Sequence, residues 1–417
     1  METTLTLAAP RRLDRWARNL AFSLLPGLKN AGLTVLDGDD HFFFGDAHSA
    51  LQAEIQVVEP RFYRRLLSGG SISAAESWVE GDWFSPDLTS LIRLFARNAH
   101  VMDRLERRLG WLTWPWLRLS HWRNRNSKAG SRANIAAHYD LGNDMYELFL
   151  DPQMQYSSAV FPRNGSSLDL AQEYKLRLIC SRLELKPGDH LLEIGTGWGG
   201  LACYAARHYG CRVTTTTLSE AQFEYARVRI KREGLEDRVT LLLKDYRELT
   251  GQYDKLVSVE MIEAVGHEYL PEYFRMLDRL LKPDGRLLIQ AITIADQRYR
   301  QYRKSVDFIQ RYIFPGGCLP SVGEMSRHLR EQTDMSLVRL HDYGWHYAET
   351  LRIWAARFQQ AAPRLSRLGY SNDFQRLWAF YFAYCEGGFL EGTIGLAHFE
   401  AVKPGARTCR HGNGPSL

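Results

Sequence analysis

The sequence predicts an α/β protein in which a smaller α+β domain precedes a domain with a seven-stranded sheet and a helical lid. Short apolar runs alternate with helical patterns after about residue 135, which is typical of parallel βαβ units. Residues 30–100 instead mix strand-like and helical segments without that regular alternation. At 417 residues the chain is also too long for one average domain. We therefore expect two domains.

The N-terminal domain is assigned to residues 1–125 and contains three strand-like segments and two helical ones. The strand-like segments are 33–36, 41–44 and 53–58, and the helical segments are 60–67 and 87–98. The formal net charge of +5 is small for this length and does not argue for nucleic-acid binding. No stretch approaches the roughly 18 apolar residues of a membrane span, and no signal peptide is expected. Any membrane contact should therefore be peripheral.

A basic, tryptophan-rich segment links the two domains up to about residue 134. Its basic residues and tryptophans are interleaved between residues 104 and 134, with four tryptophans at positions 111, 114, 116 and 122. Anionic lipid headgroups attract such charge, and indole rings prefer the membrane interface. We expect a lipid-contacting N-terminal domain and a cytoplasmic enzyme at the inner face of the membrane. A solvated linker with core tryptophans, and a homodimer through this domain, stay open alternatives.

The larger domain is assigned to residues 135–402. Its seven predicted strands are 190–194, 211–218, 239–244, 255–259, 285–293, 337–341 and 393–402, and helices are predicted at 199–208, 219–233 and 270–281. Two aromatic-rich insertions, 299–330 and 348–390, are predicted to be helical and to form the lid. The tail 403–417, rich in glycine, is expected to be disordered.

The strongest local motif is the segment LLEIGTGWGG at residues 191–200, where an apolar strand ends in a glycine-rich turn that opens a helix. Gly195 and Gly197 permit the positive φ angles and the close backbone approach that a bound nucleotide needs. A dinucleotide-binding fingerprint has the same outline, so the motif alone leaves a dehydrogenase open. Glu193, before the first glycine, matches the acid that orients the loop and the methionine amino group in class I methyltransferases.

The ends of the next two strands favour a methyltransferase over a dehydrogenase. The second strand ends in Thr217 and Leu218 and lacks the acid that binds ribose in NAD folds. Gln222, one turn into the following helix, can hydrogen-bond a ribose instead. Tyr246 follows the third strand, where adenine is expected. These residues predict binding of S-adenosylmethionine.

Five segments in order resemble the cyclopropane-fatty-acyl-phospholipid synthase family, which includes the mycolic acid cyclopropane synthases. They are AHYDLGN at 137–143, MQYSSA at 154–159, the glycine loop, SVEMIEAVGH at 258–267 and FPGGCLP at 314–320. The similarity runs from about residue 134 to 402. It implies a Rossmann-like class I methyltransferase fold and transfer of a methylene group from S-adenosylmethionine to cis double bonds of unsaturated phospholipid acyl chains, giving cyclopropane fatty acids.

The resemblance also implies which residues form the site. Those at the cofactor are Tyr156, Ser157, Gly195, Gly197, Thr217, Leu218, Gln222 and Tyr246, with Glu193 from the loop. Those of the catalytic pocket, which holds a bicarbonate ion in the family, are Ser158, Glu263, Gln290, Ile292 and Tyr347. Bicarbonate is the expected base that takes a proton from the transferred methyl group.

Two positions depart from the best-known members of the family. Ser158 stands where those show cysteine, and Gln290 stands where they show histidine. Both replacements keep hydrogen-bonding capacity, but Gln290 removes a group that titrates near neutral pH. The base step and the product are therefore open, and a methylene- or methyl-branched chain is the alternative to a cyclopropane ring.

Six scattered cysteines form no CxxC pair, which argues against a zinc site and a disulfide scaffold and fits a reducing compartment. We expect no metal. Two further function classes stay open. The first is an N-methyltransferase that acts on a soluble amine. The second is a non-enzymatic lipid- or cofactor-binding relative, against which the intact glycine loop and Glu263 argue.

Overall fold

The computed structural model describes residues 12–99 and 142–408. The basic, tryptophan-rich segment lies outside these residues, so membrane contact through it stays a prediction. Among the described residues, no helix combines the length and the apolar composition that crossing a membrane requires.

The N-terminal elements form a small α+β arrangement, as predicted. They are α1 (Arg12–Phe22), β1 (Gly32–Asp37), β2 (Asp40–Gly45), β3 (Gln52–Val57), α2 (Arg61–Val79), β4 (Trp83–Phe84) and α3 (Leu88–Arg97). The sheet order is β2-β1-β3-β4, and β1 and β3 are parallel. Helix α2 extends well past the predicted end at residue 67, because the chain kinks at Gly70 (φ +56°) and then resumes a helical path.

The remaining elements alternate as the sequence predicts. In chain order they are α4 (Asn143–Tyr146), α5 (Leu168–Arg182), β5 (His190–Ile194), α6 (Gly200–Tyr209), β6 (Arg212–Thr217), α7 (Glu220–Arg232), β7 (Val239–Leu243), β8 (Tyr253–Val259), α8 (Leu270–Leu280), β9 (Leu281–Ile294), α9 (Asp296–Tyr302), α10 (Phe308–Tyr312), α11 (Val322–Gln332), β10 (Ser336–Asp342), α12 (Gly344–Gln360), α13 (Ala362–Arg367), α14 (Asn372–Leu390), β11 (Ile394–Val402) and α15 (Pro404–Thr408). The predicted strands and helices are confirmed, with small shifts at their ends.

The large sheet has the order β10-β11-β9-β8-β5-β6-β7. Strands β5 to β9 run parallel, and β11 is antiparallel to both β9 and β10. From β5 the chain builds outward through β6 and β7 on one side and β8 and β9 on the other. A ligand crevice is expected at such a switch point, outside the carboxyl ends of the strands.

Both faces of this sheet are covered. Successive side chains of a strand point to opposite faces, and neighbouring β5 residues accordingly join different clusters. Leu192 packs in a cluster with Phe274 of α8, whereas Leu191 packs with Ile179 of α5 and Leu201 of α6. Burial on both faces is what a mainly parallel sheet requires, and it fixes the positions of the strand ends.

The described chain divides into two compact units that do not follow the linear order of the sequence. The first combines the N-terminal elements with Ser305–Ile313 and Trp354–Thr393, and the second contains the remaining described residues, including the large sheet. Within the first unit, Thr89 donates a hydrogen bond to Glu386, and Arg93 pairs with Glu391. Much of the predicted helical lid thus packs with N-terminal elements almost 300 positions away in the chain. Local patterns carry no information about such contacts.

The prediction of a disordered tail from residue 403 is wrong for residues 403–408. The Lys403 ammonium is largely buried and pairs with Asp278 and Asp334, at 2.9 and 2.6 Å. Helix α15 follows it, and Ala406 is buried. A paired cation and a buried alanine anchor this short segment. Residues 409–417 lie outside the described part.

Candidate active site

The glycine loop at the end of β5 has the backbone that a nucleotide cradle needs. Gly195, Gly197 and Gly199 have φ angles of +98°, +51° and +83°. A Cβ atom added at Gly197 would have no atom of the described residues within 4 Å, so the main chain there faces open volume. By contrast, a Cβ at Gly200 would lie 2.6 Å from the Gln153 carbonyl oxygen. The loop is therefore packed on one side and open on the other, which fits the binding of S-adenosylmethionine.

Glu193 lies under this loop and is almost completely buried, with 3% of its surface exposed. Its Oε2 atom accepts a hydrogen bond of 2.6 Å from the Thr215 hydroxyl. Burial raises the pKa of Glu193 to about 8, although that hydrogen bond opposes the shift. The carboxyl group is thus mainly protonated at neutral pH, and a cationic amino group beside it would favour the ionised form.

The raised pKa of Glu193 predicts a pH-dependent stability. Between its ordinary pKa of 4.5 and about 8, the unfolded chain releases a proton that the folded chain still holds. The free energy of unfolding should therefore fall as the pH rises through this window, by up to about 1.4 kcal/mol per pH unit for this proton. Urea denaturation of the cofactor-free protein should show a smaller fall in Glu193→Gln. An equal fall in both proteins would contradict the prediction.

The remaining predicted cofactor residues lie along the adjacent strand ends. Thr217 is the last residue of β6, and its hydroxyl donates to Gln222 Oε1 at 3.0 Å. Leu218 follows it and is half-buried. Tyr246 follows β7 and is buried, and burial raises the pKa of its hydroxyl. Since β5, β6 and β7 are neighbours, these residues line one continuous edge of the sheet.

Glu260 stands at the centre of the predicted pocket, although it is not one of the predicted pocket residues. It follows β8 directly, and its backbone has a φ of +49°. Its Oε1 atom accepts hydrogen bonds from the Ser158 N–H at 2.9 Å and from Gln290 Nε2 at 2.7 Å. Its Oε2 atom accepts one from the Tyr347 hydroxyl at 2.7 Å. Burial raises the pKa of Glu260, and these three donors oppose the shift by stabilising the ionised form.

Glu263 lies in a different environment. Its Oε1 atom accepts a hydrogen bond from the backbone N–H of Ile292, whereas its buried Oε2 atom has no hydrogen-bond partner among the described residues. Burial, and after it the charge of Glu260, raise the pKa of Glu263 to about 8. The two carboxyl groups therefore differ in environment: three donors stabilise the ionised form of Glu260, whereas Glu263, with a pKa of about 8, is mainly protonated at neutral pH.

His398 supports this arrangement from the neighbouring strand. It pairs with Gln290 in the register of β11 and β9, and its Nε2 atom lies 2.8 Å from Gln290 Oε1. Burial lowers the pKa of His398 to about 3, so the ring is neutral and its Nε2–H must donate to the amide oxygen. This bond orients the Gln290 amide so that its Nε2 atom points to Glu260. His398 thus lies on β11, one strand away from Gln290 on β9, the position at which the best-known members of the family have histidine.

Lys175 is a fully buried cation on α5. Its Nζ atom donates a hydrogen bond of 2.7 Å to the hydroxyl of Ser157, next to Ser158. Burial lowers the pKa of Lys175 to about 8, while the negative charges of Glu260 and Asp151 act to raise it. The ammonium group therefore positions the 156–158 segment and contributes positive charge near Glu260.

The structure brings the predicted pocket residues together, but around Glu260, to which the sequence assigns no catalytic role. Ser158, Gln290 and Tyr347 all contact Glu260, and Ile292 contacts Glu263. Ser158 contributes its backbone N–H, because its hydroxyl donates to the Ala159 carbonyl. Tyr156 lies half-buried, with its ring edge-on to Tyr146.

Lys175 and His398 were missed. Glu260 and Glu263 both follow a central strand, so the sequence predicts that one of them faces the pocket, but it assigns a catalytic role to Glu263 only. Lys175 and His398 belong to no local motif, and only their contacts with Ser157 and Gln290 reveal them.

The same geometry does not fit the bicarbonate ion that the resemblance implies. The donors expected to hold it, on Ser158, Gln290 and Tyr347, bind the carboxylate of Glu260. A second anion at these donors would meet a like charge at close range, which is unfavourable in a buried site.

Comparisons with known proteins identify close relatives. The family model described as mycolic acid cyclopropane synthetase matches residues 126–399. Over 351 residues the chain is 40% identical to the tuberculostearic acid methyltransferase UfaA1 of Mycobacterium tuberculosis, covering 82% of this chain and 81% of that relative. Over 364 residues it is 38% identical to the cyclopropane-fatty-acyl-phospholipid synthase of Escherichia coli K12, covering 86% of this chain and 91% of the relative.

A solved structure gives the same result for the fold. The mycolic acid cyclopropane synthase CmaA1, in complex with SAH and CTAB, matches with a TM-score of 0.61 and 31% identity. The match covers 65% of this chain and 98% of CmaA1.

Proposed function

The chain belongs to the mycolic acid cyclopropane synthetase family of S-adenosylmethionine-dependent methyltransferases, and we propose that it modifies cis double bonds of unsaturated acyl chains in phospholipids. The product is a cyclopropane fatty acid. The observation that carries this proposal is the buried carboxyl group of Glu260, which accepts hydrogen bonds from Ser158, Gln290 and Tyr347 beside the glycine loop. An amine substrate would bring its own lone pair, whereas a methylated alkene must lose a proton to a base in the site.

The cofactor residues have distinct tasks in this proposal. S-adenosylmethionine supplies a methyl group activated by a positively charged sulfur. Gly195 and Gly197 let the main chain approach the cofactor closely, and Glu193 favours its cationic amino group. Gln222 offers hydrogen bonds to a ribose, and Tyr246 an aromatic surface to adenine.

The pocket must also orient a weak nucleophile and exclude water. An alkene reacts only when its double bond is held close to the methyl group, so positioning carries much of the rate enhancement. Ile292 lies beside Glu263, and Tyr156 and Phe314 offer aromatic surface, with their ring centres 6.4 Å apart. Aromatic faces also stabilise positive charge on the acyl chain after methylation.

A branched acyl chain is a second candidate product, because Gln290 replaces the histidine of the best-known members. The 40% identity to a tuberculostearic acid methyltransferase favours the same alternative. A hydride shift along the chain before proton loss gives a methylene branch in place of a ring. Mild catalytic hydrogenation of the product separates the two outcomes, because it reduces an exposed methylene group under conditions that leave a cyclopropane ring intact.

The direct test is transfer of radiolabel from methyl-labelled S-adenosylmethionine to phospholipid vesicles. Label is expected in the acyl chains of monounsaturated phospholipid, and vesicles of the saturated phospholipid with the same headgroup serve as the control. Equal labelling of both vesicles, or label only in soluble amines, would contradict the proposal.

We further propose that the enzyme reaches these chains as a peripheral protein on an anionic membrane surface. The basic, tryptophan-rich segment 104–134 supports this, since such composition favours anionic interfaces. Cosedimentation with anionic vesicles, and weaker cosedimentation with zwitterionic ones, is the expected result. Equal cosedimentation with both kinds of vesicle would contradict attraction of the basic segment to anionic headgroups.

A further inference from the structure

We propose that the carboxylate of Glu260 is the catalytic base of this enzyme and takes the place of bicarbonate. The inference rests on the proposed function and assigns the proton-transfer step within it to a residue of the chain itself. It predicts turnover that does not depend on bicarbonate.

The hydrogen-bond donors of the pocket carry the first part of the argument. The Ser158 N–H, the Gln290 amide and the Tyr347 hydroxyl come from three separate parts of the chain and converge on one carboxylate, at 2.7 to 2.9 Å. Such a set of donors favours an ionised acceptor. A small carboxylate-shaped anion would need the same kind of donors, and Glu260 already occupies them.

The backbone of Glu260 supports a functional role. Its φ of +49° lies in the left-handed region. This region is costly for a residue with a Cβ atom and is usually occupied by glycine or asparagine. The Glu260 N–H donates to the Gln290 carbonyl oxygen at 2.7 Å, which holds this conformation. Strained residues of this kind cluster at active sites, where the surrounding structure fixes them.

The position of Glu260 supports contact with the reacting atoms. Its neighbour Met261 packs against the cofactor loop, where a Cβ added to Gly195 would lie 3.4 Å from the Met261 Cβ. On its other side, Ser158 follows Tyr156 and Ser157, the residues predicted to contact the cofactor. Glu260 therefore stands one residue away from both predicted walls of the methyl-transfer site.

The groups around Glu260 also distinguish it from the other carboxyl group. His398 is neutral and acts through Gln290, and Lys175 contributes positive charge. Among the described residues, one oxygen of Glu263 accepts from the Ile292 N–H and the other has no hydrogen-bond partner. Both oxygens of Glu260 are instead held by donors, which orient the carboxyl group and favour its ionised form.

The proton-transfer step balances without any further reactant. The methylated acyl chain carries one positive charge on carbon. A C–H bond of the transferred methyl group breaks, its electron pair closes the three-membered ring, and the proton moves to Glu260. After a hydride shift, the same electron pair forms a carbon–carbon double bond instead. The neutral Glu260 then releases its proton to solvent.

The test compares turnover in carbon dioxide-free buffer with turnover in the same buffer after bicarbonate is added. The wild type is expected to turn over equally in both. Glu260→Gln should lose about 10²- to 10⁴-fold in kcat, the usual contribution of a general base, with unchanged binding of S-adenosylhomocysteine. Glu263→Gln should lose at least about tenfold less, because its carboxyl group is already protonated.

A glycine variant adds a readout that is independent of turnover. Glu260→Gly removes the carboxylate and accepts the left-handed backbone without strain, so it should fold. Calorimetric titration with bicarbonate should detect binding to Glu260→Gly and none to the wild type. Bicarbonate binding by the wild type, or wild-type turnover that requires it, would overturn the role of Glu260. Absence of labelled lipid with the wild type under both conditions would instead contradict the proposed function, while the titration still tests Glu260.

Discussion

Gly197→Asn is expected to abolish detectable binding of S-adenosylmethionine while the protein stays folded. Asparagine tolerates a φ of +51° better than other side chains do, and its Cβ atom would have no atom of the described residues within 4 Å. The added atoms would instead fill the open volume that the loop offers to the cofactor. We expect the Kd to rise at least about 100-fold, equivalent to about 2.7 kcal/mol, in a calorimetric titration.

Gly234→Asn is the matched control for this variant. Gly234 has a φ of +64°, and a Cβ there would also have no protein atom within 4 Å. It lies before β7, at the amino edge of the sheet and away from the predicted crevice. Normal cofactor binding is expected in the control. Unchanged affinity in Gly197→Asn would show that the glycine loop is not the cofactor cradle.

Lys175→Met is expected to lower kcat about 100-fold and to lower the melting temperature as well. Burial lowers the pKa of Lys175 to about 8, but its ammonium group holds the Ser157 hydroxyl and offsets the charge of Glu260, so its removal leaves buried polar groups uncompensated. Turnover should fall because Ser157 loses the donor that holds its hydroxyl and Glu260 loses a compensating charge. The pKa of Glu260 should then rise, and the rate should reach its plateau at a higher pH than in the wild type.

Lys255→Met is the control for the loss of a largely buried lysine. Lys255 lies on β8 near its amino end, and burial also lowers its pKa. We expect its pH–rate profile to match that of the wild type. A profile of Lys175→Met that keeps the wild-type shape, with only a uniform loss of active protein, would indicate a purely structural lysine.

The fold could be predicted because its determinants are local. Apolar segments such as β5 and β8 alternate with amphipathic helices, and glycines mark the turn after β5. The composition of the two units could not be predicted in the same way. Contacts such as Trp78 with Arg376 join residues that are far apart in the chain and follow no periodic pattern.

The site could be predicted only in part, for a related reason. Motifs pointed to Glu263, Gln290 and Tyr347, because these positions resemble those of a known family. The centre of the network depends on which side chain the donors reach, and this is set by the left-handed turn at Glu260. His398 joins the network only through the pairing of β9 with β11.

The central claim is that a methyl group is added to an acyl-chain double bond and then loses a proton to the enzyme. Mass spectrometry of monounsaturated phospholipid after incubation with the enzyme and S-adenosylmethionine carrying a trideuterated methyl group tests it most directly. The expected product is a modified acyl chain that keeps two of the three deuterium atoms. Transfer of all three deuterium atoms to a headgroup or to a soluble amine, with unmodified acyl chains, would contradict it.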